Sequence, residues 1–453
     1  MTPEKFDVVI LGGGNAGLGV TGPARRAGLS VAMIESRDLG GTCPNRGCTP
    51  KKVLVAAGHA LHEIERAAVH QISVGKPRLD WAALIDREKA LIRDIPSSLA
   101  RAMAKRGVQV IEGHATFAAP DTIRVGSRLL QAEHIVIATG SKPRPLPIPG
   151  AEHMITSDEI LSDRVLPRSA IFVGGGVISF ELGHVYARAG VQVTILEALP
   201  QLLPAMDVDA VARLRAESER IGIRFRTGVV VKRIERTDGT LAVTFTSDDG
   251  EHVAEADRVV NGAGRIANID QLDLAVGGVA HDHGRITVDN FLRSVSNPRV
   301  HVCGDAFANS PQLSPLATYE GDIVGRNVVE GANHSPDYEG MATAVYTVPA
   351  LAAVGLTEAA ARQKGLDLDV HVNDMLGWFS AKTYGETVAW SKVIVDRTTD
   401  RILGAHFVGH EGQELINVFG LAIKFGITAR QLKDHVYAYP TFSADIKHMF
   451  ARA

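Results

Sequence analysis

Twice in 453 residues the chain runs through one local pattern: a short apolar strand, a turn of glycines, a helix, and a second strand ending on an acid. The first copy has an apolar run over 6–11, the turn Gly12-Gly13-Gly14-Asn15-Ala16-Gly17, a helical stretch to about Ala27, and a strand over 30–34 that closes at Glu35. The second has a strand over 170–173, the turn Gly174-Gly175-Gly176-Val177-Ile178-Ser179, a helix to Ala189, and a strand over 192–196 that closes at Glu197. A lone GxGxxG is weak, but strand, turn, helix, strand and terminal acid in this order form the dinucleotide-binding fingerprint. Gly12 permits the turn, Gly14 lets the backbone approach a pyrophosphate at the helix N-terminus, Gly17 allows close helix packing, and Glu35 can accept from a ribose hydroxyl. Gly174, Gly176 and Glu197 repeat these roles, while Ser179 replaces the third glycine and weakens the second match slightly. Two units imply two dinucleotides.

The second acid bears on which nucleotide binds. A carboxylate at that strand end accepts from the free 2′-hydroxyl of NAD, whereas a 2′-phosphate would be repelled and would want arginines nearby. The following Ala198-Leu199-Pro200-Gln201 supplies none, so NADH is favoured and NADPH stays possible.

At 45% hydrophobic content the chain can fill several cores, which fits two to four domains. Its net charge of −3 leaves no basic excess for nucleic acid. No apolar run approaches the ~20 residues needed to span a bilayer. The polar start of the chain offers no targeting segment, and three cysteines fit a reducing compartment, so a cytoplasmic protein is expected.

Two of those cysteines lie in Gly40-Gly41-Thr42-Cys43-Pro44-Asn45-Arg46-Gly47-Cys48-Thr49-Pro50-Lys51-Lys52. Five residues of regular helix rise about 7.5 Å, beyond the ~4.4–6.8 Å between Cα atoms that a disulfide permits, so the pair cannot be bridged within one helix. Gly47 allows a turn between them, and Pro50 suits the first turn of a helix starting near Cys48 or Thr49. Cys48 would then meet a positive helix end, with Lys51 and Lys52 close by, which favours a thiolate there. A stabilising bridge, two inert thiols and a redox pair all remain compatible with these residues.

The cysteine stretch resembles the active-site sequence of the flavin-dependent pyridine nucleotide disulfide reductases, the family of glutathione reductase, dihydrolipoamide dehydrogenase and mercuric reductase. The likeness extends over essentially the whole chain: an Ala138-Thr139-Gly140 element at the end of a buried strand, Gly264-Arg265 with Asn268 returning from the second nucleotide unit, Gly304-Asp305 at another strand end, and Leu313-Ser314-Pro315-Leu316-Ala317. It implies a redox disulfide between Cys43 and Cys48, with Cys48 nearer the flavin and Cys43 the exchange thiol. Thr42, Thr139, Gly140, Asp305 and Ser314 would contact FAD, and Gly264 the nucleotide side. Glu181 would pair with a lysine one turn past the second cysteine; Lys51 and Lys52 both qualify. Cys303 lies within a strand and is expected to be buried and inert, and His59 and His62 are expected to be ordinary, partly exposed histidines.

The implied fold is α/β: an FAD domain in two parts, 1–145 and 266–335, an NAD(P) domain at 146–265, and a C-terminal α+β dimerisation domain at 336–453, in a homodimer. A run of prolines, Pro143, Pro145, Pro147 and Pro149, marks the first boundary.

Two departures concern the acceptor. Thiol-reducing members carry a histidine before a Pro-Thr pair and a glutamate shortly after, contributed across the dimer. Here Tyr439 precedes Pro440-Thr441, Ala444 stands at the glutamate's place, and Asp445 is one residue late; His435 and His448 match neither position. Tyr439 of one subunit would face the cysteines of the other. The arginine by which glutathione reductases touch their substrate is also missing, with Gly22 and Pro23 near that place and Arg25 and Arg26 shifted, and the final Phe450-Ala451-Arg452-Ala453 lacks the cysteine pair of mercuric reductases. The expected activity is electron transfer from NAD(P)H through FAD and the disulfide to an unidentified disulfide or other electrophile. The alternatives are an NAD(P)H oxidase or quinone reductase, and a non-catalytic redox sensor.

Overall fold

A computed structural model of the chain describes residues 2–451; Met1 and the Arg452-Ala453 end lie outside the described residues. The chain divides into two compact units: Met1–Lys51 with Asp86–Arg144 and Arg265–Asp337, and Lys52–Ile85 with Pro145–Gly264 and Tyr338–Ala453.

The first unit is built on a seven-stranded sheet in the order Val108–Glu112, Val31–Glu35, Glu4–Leu11, Arg128–Ile137, Thr122–Val125, Ala115–Ala119, with Val300–Val302 paired to the far half of Arg128–Ile137. The first four strands and the returning one are parallel. Side chains alternate across a strand, and the two cores divide accordingly. Val9, Leu11, Ile34, Ile135 and Ile137 face one core, and Val8, Ile10, Met33 and Val136 face the other. The strands Ala115–Ala119 and Thr122–Val125 form a hairpin, because Pro120-Asp121 turns the chain between them.

On one face the helix Asn15–Arg26 lies against Ser314–Glu330. Glycines make this approach possible: an added Cβ would fall 2.5 Å from Thr318 O at Gly19 and 2.1 Å from Ala16 O at Gly321. Such contact of backbones holds the first turns of the two helices side by side.

The second unit contains a parallel sheet ordered Arg224–Thr227, Gln192–Glu197, Ser169–Val173, Arg258–Asn261, beside a three-stranded antiparallel sheet over 230–256. Its C-terminal part is a five-stranded antiparallel sheet, Ala342–Val345, Ala350–Gly355, Ile402–Gly409, Trp390–Asp396, Leu368–Asp374, covered by the helix Gly412–Phe425. One core joins the two parts, since Phe172, Phe180 and Ile195 pack in the same cluster as Leu351, Trp390 and Val408. A buried ammonium ties them as well: Lys392 Nζ lies 3.0 Å from Asp207 and from Glu358, and 2.6 Å from Asp209. Among the described residues no helix is long and apolar enough to cross a membrane.

Candidate redox and dinucleotide sites

The helix Cys48–Arg66 begins at the second cysteine with Pro50 in its first turn, and the Lys51 N–H closes that turn on Gly47 O at 3.0 Å. Cys43 sits on the preceding short helix, Thr42–Arg46, whose first residue is Thr42. Gly47 must be small, because a Cβ there would lie 3.0 Å from Thr42 O and 3.3 Å from Cys43 Cα. Cys43 is half-buried and Cys48 exposed. The Cys43 thiol is pulled down to about 6, first by the Cys48 side chain, then, against the opposing effect of burial, by Ser314 and Asn15. Sequence reasoning put thiolate character on Cys48; the groups that stabilise a thiolate converge on Cys43 instead, because Ser314 Oγ donates to its sulfur at 3.0 Å.

This pair is pressed against the first glycine turn. Gly40 N–H donates to Gly13 O at 2.8 Å, and a Cβ on Gly41 would fall 2.8 Å from Gly14 Cα. Within the turn, Gly12 takes φ of 110°, and Gly13 N–H donates to Glu35 Oε2 at 2.8 Å. Gly17 is hemmed in, since its Cβ would meet Gly12 O at 2.1 Å.

Asp305 follows the returning strand. It accepts from Ser141 Oγ at 2.8 Å, and Arg265 donates to the same hydroxyl at 2.9 Å and to Ser141 O at 2.6 Å. Burial pushes the Asp305 carboxyl up, against the Ser141 hydrogen bond and the Arg265 charge. The Arg265–Ala267 strand pairs antiparallel with Ser141–Pro143 and so holds these groups together. Thr139 Oγ1 is buried and has no hydrogen-bond partner among the described residues, a state that costs free energy unless a ligand supplies one. Gly140, next to it, has φ of 69° with open space where a side chain would be. An orphaned hydroxyl, a carboxyl raised by burial and a side-chain-free turn fit a flavin dinucleotide.

In the second unit Gly174 has φ of 107°, its Cβ position 2.3 Å from Gly262 O, and Gly175 N–H donates to Glu197 Oε2 at 2.5 Å. The other Glu197 oxygen accepts from Leu199 N–H at 2.7 Å. Gly176 caps the helix Val177–Arg188 with no side chain over its N-terminus, leaving backbone donors for a pyrophosphate. Gly264 adopts φ of 94° just beyond. Ser179 is buried and donates to Gly174 O at 2.5 Å.

Glu181 is buried on that helix and accepts the N–H of Tyr346 at 2.8 Å. The Lys52 ammonium lies 4.5 Å from the centroid of the same Tyr346 ring, so Lys52 and Glu181 meet at one residue. Lys51 belongs with the first unit. His62 is buried rather than partly exposed, and burial with the nearby Arg188 and Arg66 pushes its imidazole down to about 3; His59 is exposed. Cys303 is fully buried and its thiol is pushed well up.

In the C-terminal segment Tyr439 is 77% exposed while Ala444 is buried. Thr441 caps the turn Phe442–His448 by accepting Ala444 N–H at 3.1 Å. Burial raises the Asp445 carboxyl, opposed by a hydrogen bond from Ser380. His435 stands edge-on to Tyr437 at 4.7 Å and His448 edge-on to Trp378 at 6.0 Å.

Asn15 was not singled out by sequence reasoning. Its amide donates to Ser314 Oγ, and only its place as first residue of a helix following a glycine turn could have drawn attention to it.

The pattern of the pyridine nucleotide-disulphide oxidoreductases matches residues 6–321, and that of the family's dimerisation domain matches residues 341–450. The chain is 33% identical to a dihydrolipoyl dehydrogenase of Halobacterium salinarum, over 96% of this chain and 94% of that one. It is 31% identical to a glutathione reductase of Burkholderia cepacia, over 98% of each. Among solved structures, the Cu(II) complex of the HOCl-induced flavoprotein disulfide reductase RclA of Escherichia coli superposes with a TM-score of 0.88, at 26% identity over 99% of both chains. The dimerisation domain suggests a homodimer, and FAD and a pyridine nucleotide are implied by the family. With both nucleotide turns, the cysteine pair and the C-terminal sheet accounted for along its length, the chain belongs to the pyridine nucleotide-disulphide oxidoreductase family, as an FAD-dependent NAD(P)H disulfide oxidoreductase.

Proposed function

We propose that the protein takes electrons from NADH through FAD to a redox disulfide formed by Cys43 and Cys48, and hands them to a disulfide or another electrophile. The observation that carries this is the packing of the Cys43–Cys48 pair against the first glycine turn, with Gly40 N–H on Gly13 O at 2.8 Å and the Cys43 thiol pulled down to about 6. FAD, when bound, supplies the two-electron relay between nicotinamide and disulfide. Gly12, Gly14, Gly17 and Glu35 hold its dinucleotide part, Thr42, Thr139, Gly140 and Ser314 line the flavin end, and Asp305 takes a hydroxyl of the ribityl chain. Residues 1–145 and 266–335 form this flavin domain. Residues 146–265 form the nucleotide domain, where Gly174, Gly176 and Gly264 shape the turn and Glu197 favours NADH, since its carboxylate would repel a 2′-phosphate. Glu181 pairs with a lysine of the helix Cys48–Arg66, Lys51 or Lys52, and Lys52 lies over the ring of the same Tyr346 whose N–H Glu181 accepts. Residues 336–453 form the dimer interface, across which Tyr439 faces the cysteines of the other subunit. The cytoplasm suits a disulfide that must open and close.

The step at sulfur balances as follows. The Cys43 thiolate attacks one sulfur of the acceptor and expels the other as a thiolate, which takes a proton from water. Cys48 then displaces the mixed disulfide and its proton goes to the second leaving sulfur. The acceptor gains two electrons and two protons, and the Cys43–Cys48 bond closes.

The test uses oxidised holoenzyme treated anaerobically with NADH, followed by titration with a thiol reagent. The native protein should gain two reactive thiols per chain, and Cys43→Ser and Cys48→Ser none; Cys303, fully buried, does not contribute. No gain in the native protein sinks the reading.

The exposed Tyr439 and buried Ala444 favour a second reading. An acceptor that needs no histidine-assisted proton transfer, such as a quinone, oxygen or a metal ion, would be reduced in a reaction that survives Cys43→Ser. Copper(II) belongs in that acceptor panel because the RclA structure is a Cu(II) complex.

A further inference from the structure

Cys43 lies where the first turns of three helices come together: its own, Thr42–Arg46, and the two long helices Asn15–Arg26 and Ser314–Glu330. Ser314 and Asn15 are each the first residue of their helix, held side by side by the glycine-lined crossing at Gly19 and Gly321. The hydrogen bonds run in one direction. Asn15 Nδ2 donates to Ser314 Oγ and lies 3.4 Å from the Ser314 carbonyl oxygen, which can only accept, so the amide nitrogen is the end that faces Ser314. With a lone pair of Oγ engaged by that amide, the hydroxyl proton is free to point at Cys43 Sγ, 3.0 Å away.

We propose that Ser314 is a catalytic residue whose hydroxyl stabilises Cys43 as the exchange thiolate, and that Asn15 is the positioning residue that aims this hydroxyl, so that the thiolate forms without a histidine from the other subunit. The inference rests on the disulfide-reductase reading and supplies what the Tyr439 and Ala444 departures leave open. Three groups face the Cys43 sulfur: the Cys48 side chain from the neighbouring helix, the Ser314 hydroxyl and the Asn15 amide. The Cys48 side chain lowers its pKa most; against the opposing effect of burial, Ser314, Asn15 and the Cys48 backbone N–H lower it further, to about 6. A hydrogen bond to the charged form is worth roughly twice one to a neutral group. Thiolate would therefore predominate at neutral pH in each subunit by itself.

The test reads thiolate directly, with no NADH and no acceptor present. Holoenzyme reduced with dithiothreitol and desalted anaerobically is alkylated with iodoacetamide across pH 4.5–8.5, and modification of Cys43 is followed by peptide mass spectrometry. The native rate should reach half its plateau near pH 6. In Ser314→Ala the midpoint should rise and the rate at pH 5.5 fall about three- to tenfold, since below the midpoint each unit of pKa is a factor of ten in thiolate. Ser314→Thr, which keeps the hydroxyl, should restore the native profile. Asn15→Asp should raise the midpoint as well, because a carboxylate accepts the serine proton and draws it away from sulfur; this variant carries the test if Ser314→Ala loses its flavin. A midpoint unmoved in Asn15→Asp or in flavin-retaining Ser314→Ala, or moved as far by Ser314→Thr as by Ser314→Ala, overturns the proposal. Failure of NADH to release thiols in the native protein strikes the reductase reading alone and leaves this profile standing.

Discussion

At Gly12 and at Gly174 the backbone bends with φ of 110° and 107°, and at each an added Cβ would sit 2.3 Å from a carbonyl oxygen, of Ala138 and of Gly262. Glu35 and Glu197 then do the same work, each accepting the N–H of the middle glycine and that of the residue two places on. The copies part at the sixth position of the turn. In the first unit Gly17 has no room for a side chain, its Cβ position lying 2.1 Å from Gly12 O and 3.1 Å from Ile10 Cγ2. In the second unit Ser179 fills that position and donates to Gly174 O at 2.5 Å, and Gly262 leaves it room, since a Cβ there would fall 2.1 Å from Ser179 Oγ. A serine at this position is thus tolerated where the neighbouring strand end carries a glycine.

The largest effect is expected at Gly17. Gly17→Ser, which copies the second unit's residue into the first, should cost about 3 kcal/mol or more, as overpacking of a tight contact does, and should yield protein largely without flavin, read from its visible absorbance and thermal melt. In the second unit Gly262→Ala should cost about 1–3 kcal/mol, and Ser179→Gly in the same chain should return most of it, a coupling that a double-mutant cycle measures. Full additivity would mean the two positions do not compete for one space. Glu197→Ala removes the acceptor of two backbone N–H groups and should weaken NADH about tenfold, or about 1.4 kcal/mol, with a smaller effect on NADPH, measured as the ratio of kcat/KM values. The smallest effect is expected for Ser179→Gly alone, about 1 kcal/mol for the lost hydrogen bond and the added chain freedom.

Much of the local architecture was legible because it repeats at fixed spacing. The strand-turn-helix order at 6–35 and 170–197 and the helix start at Cys48 with Pro50 in its first turn follow from neighbouring residues. Relations between distant segments were not legible. Nothing in the spacing of Asn15, Cys43 and Ser314 says that they share one hydrogen-bonded cluster, because the glycine-lined helix crossing that brings them together joins segments some three hundred positions apart. His62 reads as an ordinary helical histidine until Arg66 and Arg188 are found beside it in the packed interior. Ser179 looks like a weakened glycine only while Gly262 is out of view. Glu181 also accepts the N–H of Tyr346 at 2.8 Å, a contact that spacing could not show because it depends on how the C-terminal sheet folds within its unit.

The short pairing of Ser141–Pro143 with Arg265–Ala267 bears on how such a chain can be assembled and rearranged. The two strands run antiparallel at the place where the chain leaves the first unit and the place where it comes back, so the departure and return points of the intervening excursion are neighbours. Loop closure costs little more for a long loop than for a moderate one, since each doubling adds only about 0.6 kcal/mol. The first unit therefore depends weakly on how long that excursion is. Its sheet can be completed by any segment whose two ends emerge as close together as these strands, so what the first unit asks of the chain between residues 144 and 265 is the spacing of its ends and not its length.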